Sequence, residues 1–392
     1  MKRDYTEFAA GYREDYLKLL KTLIAIPSPS FQEKRVAEVI MDFLKQEAEK
    51  NNYHKVHIYM DDIWNVYCEI GGYFQEDTEC TLFCAHIDTV FPDNGAPVLI
   101  REEEGRLYGM GAKDNCANVC ALMFCAKYIF EQHIEPKEPL LLVFDVCEEG
   151  LGNLRGCKRI FENYLGIRQM IAFDLDYRTV FNKAVGSVRY EVKVKTEGGH
   201  AFHDFGRKNA IQIMSDMIQK FYKTDTSDME GVSSYNVGTI EGGTSVNSIA
   251  QECRALFEWR SDSAETLKLL TSFFENIVKE EEKNNKEVTI ETKQLGFRPS
   301  MGVFTEEKER LQKMLTQNLI CAVEAAAKET PILASASTDC NIPLSMGIPA
   351  VCTGTCLGCG EHTEQEYVEL SSLKQGLLLA LELVCGYALP RQ

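Results

Sequence analysis

Apolar residues in the first half of the chain fall in short unbroken runs rather than in alternation. "CTLFCAHID", "EPLLLVFDV" and "RQMIAFD" read as strands, and so does "HKVHIYMDDIWNVYCEI". Between them "NCANVCALMFCAKYIF" reads as a helix. Unbroken strands separated by helices predict a mostly parallel sheet covered on both faces, an α/β architecture. Near Ala184 the texture changes, because "SVRYEVKVKTEG" alternates apolar and polar as a half-exposed strand does. The helix "NAIQIMSDMIQKFYK", the strands "SSYNVGTIEG" and "SIAQECRALFEWRS", the helix "AETLKLLTSFFENIVKEEEK" and the strand "EVTIETKQLG" follow. That order is β-α-β-β-α-β, a ferredoxin-like α+β motif. It predicts an inserted domain over residues 184–296 within a discontinuous domain of residues 1–183 and 297–392.

The length of 392 residues agrees with two cores rather than one. A net charge of −17 argues against nucleic acid or an anionic membrane as the main partner. The N-terminal "MKRDYTEFAAGYREDYLKLL" lacks the apolar core of a signal peptide, and no run is long enough to span a bilayer, so a cytoplasmic protein is expected. Several of the fifteen cysteines, Cys84, Cys116, Cys120, Cys125 and Cys147 among them, sit in apolar segments, where a thiol acts as a small hydrophobe. An odd count fits a reducing compartment. Cys352, Cys356 and Cys359 form the densest cluster, but no second CxxC pair is present to complete a thiolate site.

In parallel sheets, ligands bind beyond the carboxyl ends of the strands. The predicted strand ends deliver His86 and Asp88, Glu148 and Glu149, Asp174, and, after a glycine-rich loop, His362; Asp114 stands at the start of a helix. Taken singly, each has a plain explanation: a loop histidine, a helix cap, a turn-forming acid. Collected at one sheet edge, two of the seven histidines and five acids make the donor set that zinc prefers. The number of groups suits two cations about 3.5–4 Å apart, bridged by one carboxylate. The adjacent glutamates then divide the work, one as a ligand and one as a general base. Asp88, two residues after His86, is placed to accept the imidazole's other N–H.

The segments "HIDTV", "GAKDN", "CEEGLGNLRG", "AFDLD", "GGHAF", "GGTSVNSI", "GFRPS", "STDCNIPLSMGIP" and "GEH" occur in this order along essentially the whole chain. In this the chain resembles the di-zinc peptidases and deacylases related to peptidase T, carboxypeptidase G and aminoacylase. The resemblance implies two Zn2+, replaceable in vitro by Co2+ or Mn2+. One zinc is expected on His86, Asp114 and Asp174 and the other on Asp114, Glu149 and His362. Glu148 is the implied general base and Asp88 the orienter of His86, while Asp176 competes with Asp174 within "FDLD". His200 is similar to the lid histidine that reaches the neighbouring subunit's site in dimeric members, so a homodimer through the inserted lid is implied. Asn247, Arg260 and Arg298 are candidates for substrate binding, since an arginine can grip a carboxylate bidentately. Two departures stand out: Ala201 where many relatives carry serine, and Glu361 immediately before His362. The implied reaction is hydrolysis of an amide bond in short peptides by a metal-bridging hydroxide, as in a tripeptide aminopeptidase. A deacylase, amidohydrolase or carboxypeptidase acting on N-acyl amino acids is the alternative. A metal-binding protein without catalysis is a third reading, which retention of the base Glu148 disfavours.

Overall fold

The computed structural model describes residues 5–388, and these divide into two compact units, one of the residues up to 183 together with those from 303 onward, the other of residues 184–302. The return to the first unit falls at 302/303 rather than 296/297. The last strand of the insertion runs Thr289–Arg298 and stays paired with the strand Gly186–Lys195 as far as Ser187, so the chain cannot leave earlier.

The first unit is built on an eight-stranded mixed sheet. Its centre is parallel: Leu140–Asp145, Cys80–His86, Ile167–Phe173 and Ala350–Thr353 lie side by side in that order. These strands are buried almost throughout, as their unbroken apolar runs require. Antiparallel strands flank them. The segment "HKVHIYMDDIWNVYCEI" is a hairpin, Val56–Met60 with Val66–Ile70, rather than one strand. Asp61 makes its turn: Oδ1 accepts the N–H groups of Ile63 at 3.0 Å and Asn65 at 2.9 Å. The helix Ala117–Glu131 is buried on nearly every side, whereas Lys34–Lys50 buries one stripe, Val36, Ala37, Ile40, Leu44 and Ala48.

The second unit has a four-stranded antiparallel sheet in the order Ser233–Gly242, Glu252–Ser261, Gly186–Lys195, Thr289–Arg298. This is the β-α-β-β-α-β connectivity read from the chain. Two helices cover one face and are started by side-chain caps, Asn209 before Ala210–Phe221 and Ser263 before Ala264–Asn284. Ile213, Met214, Met217, Phe221, Leu267, Leu270 and Phe274 pack there with Phe257 and Trp259. The strand Ser233–Gly242 is an exposed sheet edge.

Candidate metal centre

Three of the parallel strands end at the same place. His86 is the last residue of its strand, Asp174 follows Phe173, and Glu148 and Glu149 lie just beyond Asp145. Cys147 adopts a left-handed conformation (φ 58°), which turns the chain between strand and glutamates. Asp114 enters from the turn Ala112–Cys116, preceded by Gly111 at φ 76°. A Cβ on Gly111 would stand 2.6 Å from Thr89 Cγ2, so both the conformation and the space call for glycine.

The side chains converge in two sets that share one carboxylate. His86 Nε2 lies 3.1 Å from Asp114 Oδ1 and 3.7 Å from Asp174 Oδ1. His362 Nε2 lies 3.2 Å from the other oxygen, Asp114 Oδ2, and 2.9 Å from Glu149 Oε1. His86, Asp114 and Asp174 offer ligand atoms within 4.8 Å of one another, as do Asp114, Glu149 and His362, and a further set joins His86, Glu148 and Glu149. All are buried except His362, which is half exposed.

Electrostatics favour a cation here. Burial works against a charge on His86, yet its contacts with Asp114, Asp174 and Asp88 outweigh burial and hold the ring well above the ordinary histidine range. Contacts with Asp114 and Glu149 likewise raise His362 to about 10. Asp114 is held below the usual carboxylate range: burial opposes this, but His362 and His86 prevail. Asp114 Oδ1 is nonetheless buried without a hydrogen-bond partner. Imidazoles that carry protons because carboxylates crowd them are groups a divalent cation can take over, releasing the protons. The donors fit a pair of such ions.

Asp88 holds more than the histidine. It faces His86 Nδ1, 3.4 Å from Oδ1, and also accepts the backbone N–H of Glu148 at 2.9 Å, the N–H of Glu149 at 3.0 Å and the Ser30 hydroxyl at 2.6 Å. One carboxylate therefore fixes the ring and both glutamates. Of the two acids in "FDLD", Asp174 joins a ligand set. Asp176 instead accepts the N–H of Arg178 at 2.9 Å and lies 3.6 Å from Lys113 Nζ. Among the described residues no ligand set contains Cys352, Cys356 or Cys359, and no disulfide is formed.

Other acids in the site were not legible in the chain. Glu366 accepts N–H groups from Gly111, Lys113 and Asp114 at 2.9, 2.8 and 2.8 Å, which clamps the Asp114 turn. Its place four residues after His362, on the same loop, was the available signal. Asp145 and Asp339 meet beside Cys84; both oxygens of Asp145 and Oδ1 of Asp339 are buried without hydrogen-bond partners. Burial raises Asp145 to about 7 and Asp339 well above its ordinary value. Nothing local to either aspartate in the chain announces the other.

His200, Asn247, Arg260 and Arg298 belong to the second unit. His200 is exposed; its Nδ1 faces the N–H groups of Phe202 and His203, and its ring lies 4.7 Å from that of His203. Asn247 is exposed beside Ser245, Arg260 donates to Glu258 at 2.9 Å, and Arg298 is buried. No helix among the described residues is long and apolar enough to cross a membrane.

Comparison with known proteins gives a consistent picture. The model of peptidase family M20/M25/M40 matches residues 82–385. A peptidase M20 domain-containing protein of Schizosaccharomyces pombe is 26% identical over 258 residues, 62% of this chain and 59% of that protein. Succinyl-diaminopimelate desuccinylase of Nitrosospira multiformis is 25% identical over 276 residues, 65% of this chain and 70% of the enzyme. Among solved structures, aminopeptidase PepT from Bacillus cereus superposes with a TM-score of 0.70 at 18% identity, covering 94% of this chain and 97% of that one.

Proposed function

The chain belongs to peptidase family M20/M25/M40, and from that premise we propose that it is a metal-dependent hydrolase of amide bonds in short peptides, an aminopeptidase of the peptidase T kind. The observation that carries this reading is the pair of ligand sets joined through Asp114, with Glu148 beside them. His86, Asp114 and Asp174 would hold one zinc, and Asp114, Glu149 and His362 the other. When bound, such ions polarise a carbonyl and bring the pKa of water near neutrality.

The protein's own groups then do the following. Glu148, with its backbone N–H pinned by Asp88, takes the proton of the attacking water and delivers it to the departing amine. Asp88 holds His86 in the orientation that leaves Nε2 facing Asp114 and Asp174. His200 is assigned the oxyanion-donor role, a task suited to an exposed imidazole. Asn247 is the favoured substrate contact because it is exposed, ahead of Arg260, which is engaged by Glu258, and Arg298, which is buried. A homodimer through the second unit is proposed on the exposed edge strand Ser233–Gly242, whose backbone groups can pair with a second copy.

The similarity to a desuccinylase supports a second reading, a deacylase acting on N-acyl amino acids. A hydrolysis screen separates the two. Zinc- or cobalt-loaded protein is set against free tripeptides, N-blocked peptides and N-acyl amino acids. The aminopeptidase reading expects turnover of free tripeptides, and cleavage confined to N-blocked compounds would sink it.

A further inference from the structure

Glu361 and Lys113 have no part in the chemistry described so far, yet each adjoins a proposed ligand. Lys113 precedes Asp114 and Glu361 precedes His362. The Lys113 side chain is 3% exposed, and its ammonium pairs with Glu361 and lies 3.6 Å from Asp176 Oδ2. Three segments are thereby braced by the neighbours of their own ligands: the Asp114 turn, the loop carrying His362, and the segment carrying Asp174 and Asp176. Between the first two the joint is double. Glu366, from the same loop as Glu361, holds the backbone of the Asp114 turn through three N–H groups.

Burying the Lys113 ammonium is a costly way to gain stability, because it loses its water while Glu361 and Asp176 stay partly exposed. What it supplies is direction: an ammonium between two carboxylates fixes where their loops stand. Asp114 Oδ2 and His362 Nε2, 3.2 Å apart, are the atoms whose spacing depends on that joint. We propose that Lys113 and Glu361 are a positioning pair that sets the geometry of the Asp114–Glu149–His362 set and hence the affinity of the cation held there. The inference rests on the dinuclear reading given above.

The test uses full-length protein stripped of metal and titrated with Co2+, followed by visible absorption and calorimetry. Wild-type protein takes up two equivalents. Glu361→Gln, Lys113→Met and the double variant keep the equivalent bound by His86, Asp114 and Asp174. In each, the other equivalent binds about 10–100-fold more weakly, with an altered absorption band. The double variant is no worse than the more damaging single one, as expected of residues that act together. Glu361 is partly exposed, so Glu361→Gln decides the matter if Lys113→Met does not fold. If both equivalents bind to Glu361→Gln as they do to wild type, the positioning role is overturned. If wild type takes up a single equivalent, the dinuclear reading itself falls, and the two failures are told apart by that count.

Discussion

The two units carry their charges in opposite ways. In the second unit charged side chains lie on a partly exposed sheet and are matched by partners of opposite sign. Lys193 meets Glu252 at 2.9 Å, Lys195 meets Glu291 at 2.7 Å, Arg189 meets Glu258 at 2.7 Å, and Arg254 pairs with Glu191. In the first unit the strand ends gather Asp88, Asp114, Glu148, Glu149 and Asp174, all buried, around His86 and the half-exposed His362. Matched charges on a wet surface need nothing further and are worth little individually. A buried surplus of carboxylates is unstable unless a positive charge arrives, so the mismatch itself points to what the site is for.

The sharpest way to break this contrast is to remove one carboxylate's chemistry without its shape. Glu148→Gln should lower turnover about 10²–10⁴-fold, the usual share of a general base. That corresponds to roughly 2.7–5.5 kcal/mol of barrier. Metal content, read by elemental analysis of reconstituted protein, should stay at the wild-type value. Unchanged turnover would mean that the buried surplus serves binding alone and that the proposed proton carrier is wrong.

A core substitution in the second unit tests the other half. Trp259 is fully buried, stacks on Tyr190 at 5.6 Å between ring centroids, lies 4.8 Å from Phe274, and donates to Thr271 Oγ1 at 3.0 Å. Trp259→Ala should destabilise by about 3–5 kcal/mol, as large-to-small aromatic truncations do. Thermal unfolding should show the loss with and without metal, and the variant should keep the full complement of bound metal while folded. Loss of metal binding in the folded variant would show that the units are energetically coupled.

What the chain disclosed follows the same division. Ligand types at the ends of unbroken apolar runs are visible because a parallel sheet delivers every strand end to one edge. His86, Glu149 and Asp174 could therefore be gathered without knowing their distances, while Asp114 came from a helix start and His362 from a glycine-rich loop. The β-α-β-β-α-β order of the second unit is visible for a related reason, since the switch at Ala184 from unbroken to alternating apolar positions marks half-exposed strands. Pairings across sequence were not visible. Lys113 finds Glu361 from 248 positions away, and Asp145 finds Asp339; no local pattern encodes either. The hairpin at Asp61 is silent in the sequence because its turn is made by a side chain capping backbone N–H groups, without the glycine that usually advertises such a turn. Residues 297–302 fall in the second unit rather than the first because strand pairing, not composition, sets where the chain crosses back.

The smallest expected effect concerns pH. Burial alone would raise Glu258, but Arg260 and Arg189 outweigh it and hold the carboxyl below its ordinary value. A depressed folded pKa means that this glutamate adds stability above the ordinary glutamate range, and that the addition is lost as pH falls through the folded value. The side chain is partly exposed, so the contribution should be about 0.2–1 kcal/mol at neutral pH. Glu258→Gln should remove that much and flatten the acid limb of the stability curve measured by denaturant titration. The ligand cluster should respond with the opposite partner. There, protons on His86 and His362 must leave before a cation binds, so metal-dependent stabilisation should strengthen as pH rises. If Glu258→Gln left the acid limb unchanged while metal still stabilised more at higher pH, the matched pairs of the second unit would be electrostatically idle. The pH dependence of the whole chain would then belong to the strand ends.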